Sequence, residues 1–216
     1  MTHDFEQRLD RASCLLADAF QSDPSITYSL ASVDPHRRND SCRDLFRVFL
    51  HAAVSRNASI DETDECLSCG VLTPPKSKSQ SPQPDKPGFK EMLFDAGLAP
   101  CLHELLDIPS QTKICKQKVF GEEDDYFYIF FVGTAESARG RRLGSAILKH
   151  YQGMARQAKL PIYLEAGTEY SRNLYNALGF VTVGEIVIGK GKAAPDGTLV
   201  ANGPGFKMWG MIWRPE

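Results

Sequence analysis

The sequence predicts an α/β (α+β) fold: a mixed central sheet with parallel strands in its middle and helices on both faces. Two observations predict it. Apolar residues recur at three- and four-residue spacing near the N-terminus and again over residues 141–159, the pattern of amphipathic helices. From Tyr126 to Ile188 the pattern alternates strand, helix, strand, helix, strand. Strands joined through a helix cross over and pair in parallel.

Each element follows from local chemistry. Phe5, Leu9, Ala12, Leu16 and Phe20 form the stripe of a first helix, with Thr2 or Asp4 as its cap and Asp23-Pro24 as its stop. Leu45, Phe46, Phe49, Leu50 and Ala53 mark a second helix over 37–54. Two strands, 58–61 and 65–73, read as a hairpin. The stretch 73–88, TPPKSKSQSPQPDKPG, is an exposed Pro-rich insertion. Residues 88–106 are helical in pieces, broken at Gly97 and Pro100.

Tyr126 to Gly133, YFYIFFVG, is a buried strand by its aromatic and β-branched density. Leu143, Ile147, Leu148, Tyr151 and Ala155 form the inner face of the next helix. A strand over 160–165 follows, then a short helix over 170–178 closed by Gly179, a residue suited to a C-cap. Strands over 180–188 and 206–213 flank a turn-rich excursion, 189–205.

The bulk properties set bounds. The 216 residues fit one domain, 1–216, carrying the insertion. A hydrophobic content of 42% and a net charge of −2 allow a core and argue against a nucleic-acid partner. No apolar run is long enough to span a membrane and no secretory leader is visible, so a cytoplasmic home is expected. The six cysteines then read as reduced thiols. The isolated Cys66–Cys69 pair is weak ground for zinc, and no metal is expected.

The chemistry concentrates in Ala138-Arg139-Gly140-Arg141-Arg142-Leu143-Gly144-Ser145. This segment follows a buried strand and opens an amphipathic helix, where free N–H groups and the positive dipole end converge on anions. Three arginines crowd a helix N-terminus, a position that disfavours cations by some tenths of a kcal/mol each. Folding gives no reason for them, whereas a bound polyanion does. A solvated basic turn is the alternative. The segment lacks the Gly-Lys-Ser/Thr ending of a Walker loop and the glycine spacing of a dinucleotide-binding fingerprint.

Phe130 through Leu148 resembles motif A of the GNAT acetyltransferase superfamily, with core pattern Arg/Gln-x-x-Gly-x-Gly/Ala. Arg139 takes the first position and Gly144 the last, and Arg142 stands where the middle glycine is usual. Ile162-Tyr163-Leu164-Glu165-Ala166 and the segment Leu174-Tyr175-Asn176-Ala177-Leu178-Gly179-Phe180 are similar to motif B. The start ADAFQSDPS and the closing Trp209-Gly210-Met211 strand resemble puromycin N-acetyltransferase-like members, which act on small amines. The resemblance implies the GNAT fold, its parallel strands splayed at the cofactor site, with the family's usual first strand missing here.

The resemblance also implies acetyl-coenzyme A as co-substrate, a small-molecule amine as acceptor and direct transfer in a ternary complex. Arg139, Gly140, Arg141, Arg142, Leu143, Gly144 and Ser145 would hold the diphosphate. The backbone at Phe131 and Val132 would polarise the thioester carbonyl. Tyr175 matches the general acid; a phenol is protonated at neutral pH. The alternative for Tyr175 is a core aromatic between Leu174 and Leu178.

Glu165, ending a central strand, is the leading candidate base, with Glu169, Glu136 and Asp125 as rivals. Ser171 and Asn173 are candidates for the pantetheine arm or for helix capping. A non-catalytic acyl-coenzyme A sensor, a protein or peptide N-acetyltransferase and a nucleotide-binding module are the competing functions. Oligomeric state is not legible.

Overall fold

The computed structural model describes residues 3–78, 88–122 and 124–216. Most of the expected Pro-rich insertion, residues 79–87, lies outside the described residues, as does the candidate cap Thr2.

Helices α1 (His3–Ala19), α2 (Pro24–Ser29) and α3 (Arg38–Val54) lead into the hairpin of β1 (Ser59–Thr63) and β2 (Ser68–Thr73). Next come α4 (Phe89–Asp95) and α5 (Leu102–Lys116). The expected alternation follows as β3 (Phe127–Thr134), α6 (Leu143–Ala158), β4 (Ile162–Ala166), α7 (Glu169–Ala177), β5 (Val181–Ile188) and β6 (Phe206–Trp213). The six strands form one mixed sheet in the order β1-β2-β3-β4-β6-β5. β3 and β4 are its parallel neighbours. No strand precedes α1 among the described residues, so β1 is left as the sheet edge.

Three local readings are corrected. Asp23-Pro24 does not merely end α1; it starts α2. Asp23 accepts the Ser25 N–H at 2.9 Å, and Pro24 occupies the first helical position, where a missing N–H costs nothing. β2 begins at Ser68 rather than Glu65, because Asp64, Glu65 and Cys66 all adopt positive φ in the hairpin turn. α5 runs on past Leu106 to Lys116 with Pro109 inside it.

The sheet separates two cores. On one face Leu9 and Leu16 of α1 and Leu45, Phe46 and Leu50 of α3 pack over Cys69 and Val71. On the other, Ile147, Leu148 and Tyr151 of α6 and Tyr175 of α7 meet Phe127, Ile129, Ile162 and Leu164. Each such fully buried Leu or Phe contributes about 1.5–3 kcal/mol. α5 lies on the α1/α3 side, its Cys115 packed with Ile186 and Met208.

β3 carries the irregularity that shapes the site. Val71 pairs with Phe131 but Leu72 pairs with Ile129, so Phe130 is an extra residue. A bulge of this kind shifts the in–out alternation. Phe127, Ile129 and Val132 pack on the α6 side, while Phe130 and Phe131 both join the α1/α3 core. β4 alternates without a bulge: Leu164 and Ala166 face α6 and α7, whereas Tyr163 joins the packing on the opposite side.

Candidate active site

β3 and β4 pair only at Phe127–Ile162 and Tyr128–Tyr163. Beyond those residues the two strands continue without pairing, and a crevice opens between them toward their C-terminal ends. In a parallel sheet this is the place where ligands bind.

The N-terminus of α6 lies beside the crevice. A Cβ on Gly144 would stand 3.2 Å from Thr134 Oγ1 and 3.6 Å from Val132 Cγ1. Among the described residues, no backbone acceptor pairs with the N–H groups of Gly140, Arg142, Leu143, Gly144 or Ser145. The first bond into the helix is Ala146 N–H to the Arg142 carbonyl, at 3.0 Å. A row of free donors at the positive end of a 16-residue helix fits a diphosphate.

Arg142, which replaces a glycine of motif A, adopts the glycine-like conformation. Its φ is 62° and its ψ 19°, next to Gly140 at φ 81°. The loop shape is therefore kept at a cost of about 1–2 kcal/mol for an L-residue in this region. Arg142→Gly is expected to raise stability by about 1 kcal/mol, or 2–4 °C in Tm for a chain of this size. A lower Tm for the variant would contradict this strained geometry.

The other predicted binding residues separate into two groups. Arg139 and Arg142 are exposed. Arg141 instead pairs with Asp64 in the β1–β2 turn, which corrects the reading that folding gives the three arginines no partner. Phe131 turns its ring away from α6, 5.0 Å from the Phe46 centroid and 5.5 Å from Phe49, leaving only its backbone for the crevice. Ser171 forms a capping box with Thr168, its N–H donating to Thr168 Oγ1 at 3.1 Å. Asn173 is exposed on α7.

Tyr175 and Glu165 approach from opposite faces of the sheet. Tyr175 is 9% exposed, packed with the α6-side core, and burial together with the Asp23 carboxylate pushes its phenol up to about 12. Glu165 meets α5. Its Oε2 accepts the Tyr128 hydroxyl at 2.7 Å, and its Oε1 lies 3.8 Å from Lys116 Nζ. Burial raises its carboxyl above the usual range, opposed by Lys116 and Tyr128.

Two participants escaped the sequence reading. Asp23 reaches the C-terminal end of β4, where a Cβ on Gly167 would stand 2.8 Å from its Oδ2. Burial raises its carboxyl too, opposed by the side-chain and backbone hydrogen bonds from Ser25. The Asp-Pro signature of a helix start could have found it. Lys116 had no signal: nothing in its neighbourhood of the chain points to residue 165. Among the described residues no group of three or more His, Cys, Asp or Glu could hold a metal, and all six cysteines are free thiols.

Comparison with known proteins agrees with this geometry. Residues 112–180 match the acetyltransferase (GNAT) family, a span that holds the bulged strand, the loop and α7. An uncharacterized N-acetyltransferase of Schizosaccharomyces pombe is 24% identical over 175 residues, 79% of this chain and 70% of the relative. A Corynebacterium glutamicum protein described as histone acetyltransferase HPA2 and related acetyltransferase shares the fold. It has a TM-score of 0.56 and 22% identity, covering 100% of this chain and 93% of that one. So does the polyamine N-acetyltransferase of Drosophila melanogaster, with a TM-score of 0.57 and 14% identity over 98% and 95% of the two chains.

The splayed sheet, the donor-lined helix start and the family match together define an enzyme of the acyltransferase class. More narrowly, residues 112–180 make the chain similar to acetyltransferases of the GNAT type.

Proposed function

We propose that the protein moves the acetyl group of acetyl-coenzyme A to the primary amine of a small molecule, by direct transfer in a ternary complex. It would do so as a single domain over 1–216. The observation that carries the reading is the crevice beyond Tyr128 and Tyr163, with free N–H donors on one flank and the Glu165 carboxylate on the other. The puromycin N-acetyltransferase-like start and end of the chain support a small acceptor. So does the shared fold with an enzyme described as forming N-acetylagmatine. Free cysteines suit a reducing compartment, in keeping with a cytoplasmic location.

Acetyl-coenzyme A supplies the thioester. The N–H groups of Gly140 and of residues 142–145, with the Arg139 and Arg142 side chains, hold its diphosphate. Backbone N–H near Val132 donates to the thioester carbonyl as negative charge develops there. Glu165 accepts a proton from the acceptor's ammonium, and the amine so formed attacks the carbonyl carbon. As the C–S bond breaks, Tyr175 gives its proton to the departing sulfur, and the nitrogen of the new amide releases its extra proton to the Tyr175 phenolate, restoring the acid.

This assignment fixes the pH dependence. Burial holds the Glu165 carboxyl above its ordinary 4.5, so the base form appears only as pH rises through that raised value. kcat/KM is expected to climb with pH across that window. Glu165→Gln is expected to lose about 10²-fold in rate together with the acidic limb, since a general base contributes ~10²–10⁴-fold. Thiol release measured against pH for both proteins checks it. An unchanged acidic limb in the variant removes Glu165 from the base role. Absence of amine-dependent thiol release by protein that binds acetyl-coenzyme A defeats the whole reading.

A further inference from the structure

The last turn of α5 places a cation where the fold does not need one. Lys116 Nζ lies 4.2 Å from the ring centroid of Tyr128, 5.1 Å from that of Tyr163 and 5.9 Å from that of Tyr126. Phe120 stacks on Tyr126 at 4.2 Å and closes the wall. The Glu165 carboxylate completes the set at 3.8 Å, its side chain only 6% exposed. That separation is longer than the ~2.7–2.9 Å of a charge-assisted hydrogen bond. Glu165 Oε1 is in fact a buried acceptor with no hydrogen-bond partner among the described residues.

Three π faces and one unsatisfied carboxylate oxygen are the chemistry that recognises an alkylammonium. A helix C-terminus welcomes a lysine, but it does not require an aromatic cage around it. The cage also sits at a particular place. Tyr128 and Tyr163 are the last paired residues of β3 and β4, so it lies at the apex of the crevice. A cavity of about 310 Å³, lined by Lys113, Lys116, Gln117, Phe120 and Tyr126, borders it.

We propose that the cage of Tyr126, Tyr128, Tyr163 and Glu165 is the seat of the acceptor's ammonium, and that Lys116 is a tethered occupant which an unbranched primary alkylamine displaces. The word acceptor rests on the acetyl-transfer reading above; the ammonium seat does not. A lysine side chain ends in a butylammonium group, so the cage is already matched to a short straight-chain amine. A tethered competitor acts at an effective concentration in the millimolar range, so its removal should strengthen a weak ligand at least about tenfold.

The test is a titration of n-butylammonium, without acetyl-coenzyme A, followed through the tyrosine ring NMR signals of the full chain. Lys116→Met keeps the apolar stem over the rings and removes the charge. The variant is expected to bind at least about tenfold more tightly than the wild type. Lys149→Met, at an exposed lysine of α6 on the opposite face of the sheet, is expected to leave binding unchanged. Should Lys116→Met fail to fold, the wild type alone decides: saturating n-butylammonium should shift the Lys116 ε-methylene signals as that side chain leaves the rings.

Unmoved ring signals, or equal affinity in the variant and the wild type, overturn the proposal. Thiol release assayed in the same samples keeps the two readings apart. Turnover of the amine with silent tyrosine signals retires the cage and spares the acetyltransferase reading. Shifted signals without turnover do the reverse.

Discussion

Tyr175→Phe is expected to lower kcat by about 10²–10³-fold while leaving the affinity for acetyl-coenzyme A nearly unchanged. The phenol is buried against Phe180, with ring centroids 5.9 Å apart, and its pKa is pushed up to about 12. It therefore carries its proton throughout the working range and has one to give to a developing thiolate. Phenylalanine fills the same space, so stability should hold within about 0.5 kcal/mol, as for a volume-conserving swap. Single-turnover and steady-state thiol release, with calorimetric binding, separate the two effects. A variant with wild-type kcat leaves Tyr175 as a core aromatic only.

Gly197→Ala is expected to remove about 3 kcal/mol or more of stability and to lower Tm by roughly 6–12 °C. Gly197 has φ +86°, and a Cβ there would overlap the backbone carbonyl of Pro24. Two costs combine: a left-handed conformation, ~1–2 kcal/mol for alanine, and overpacking against backbone, ~1–3 kcal/mol. Gly191 supplies the control. It has the same φ of +86°, but its Cβ would meet nothing within 4 Å, so Gly191→Ala should show the conformational cost alone. Thermal unfolding of the two variants measures the difference. Because Pro24 follows Asp23, which stands beside Gly167, the Gly197 variant should also lose activity in its folded state. Equal Tm values for the two variants would show that the 189–205 excursion is not seated on α2 this tightly.

Much of the fold was legible because its signals are local. The stripe of α6, the aromatic run of β3 and the Gly179 stop of α7 each lie within one element, and the bounds of these three agree to within a few residues. What escaped depends on partners far apart in the chain. The bulge at Phe130 arises from pairing with Val71 and Leu72, and it sends the Phe131 ring into the opposite core. Arg141 reads as an arginine without a role in the fold until Asp64 is seen across the hairpin turn. The same holds for the site. The loop 139–145 announced itself through glycine, arginine and a helix start, whereas the cage around Lys116 assembles side chains from α5, β3 and β4. Asp23 lay between the two cases, since Asp-Pro signals a helix start as readily as a stop.

The grip of residues 139–145 on a diphosphate is tested most directly by amide NMR during titration with acetyl-coenzyme A. The N–H signals of Gly140, Arg142, Leu143, Gly144 and Ser145 are expected to move together, saturating at one equivalent. Binding that leaves these five amides in place while shifting others would contradict it.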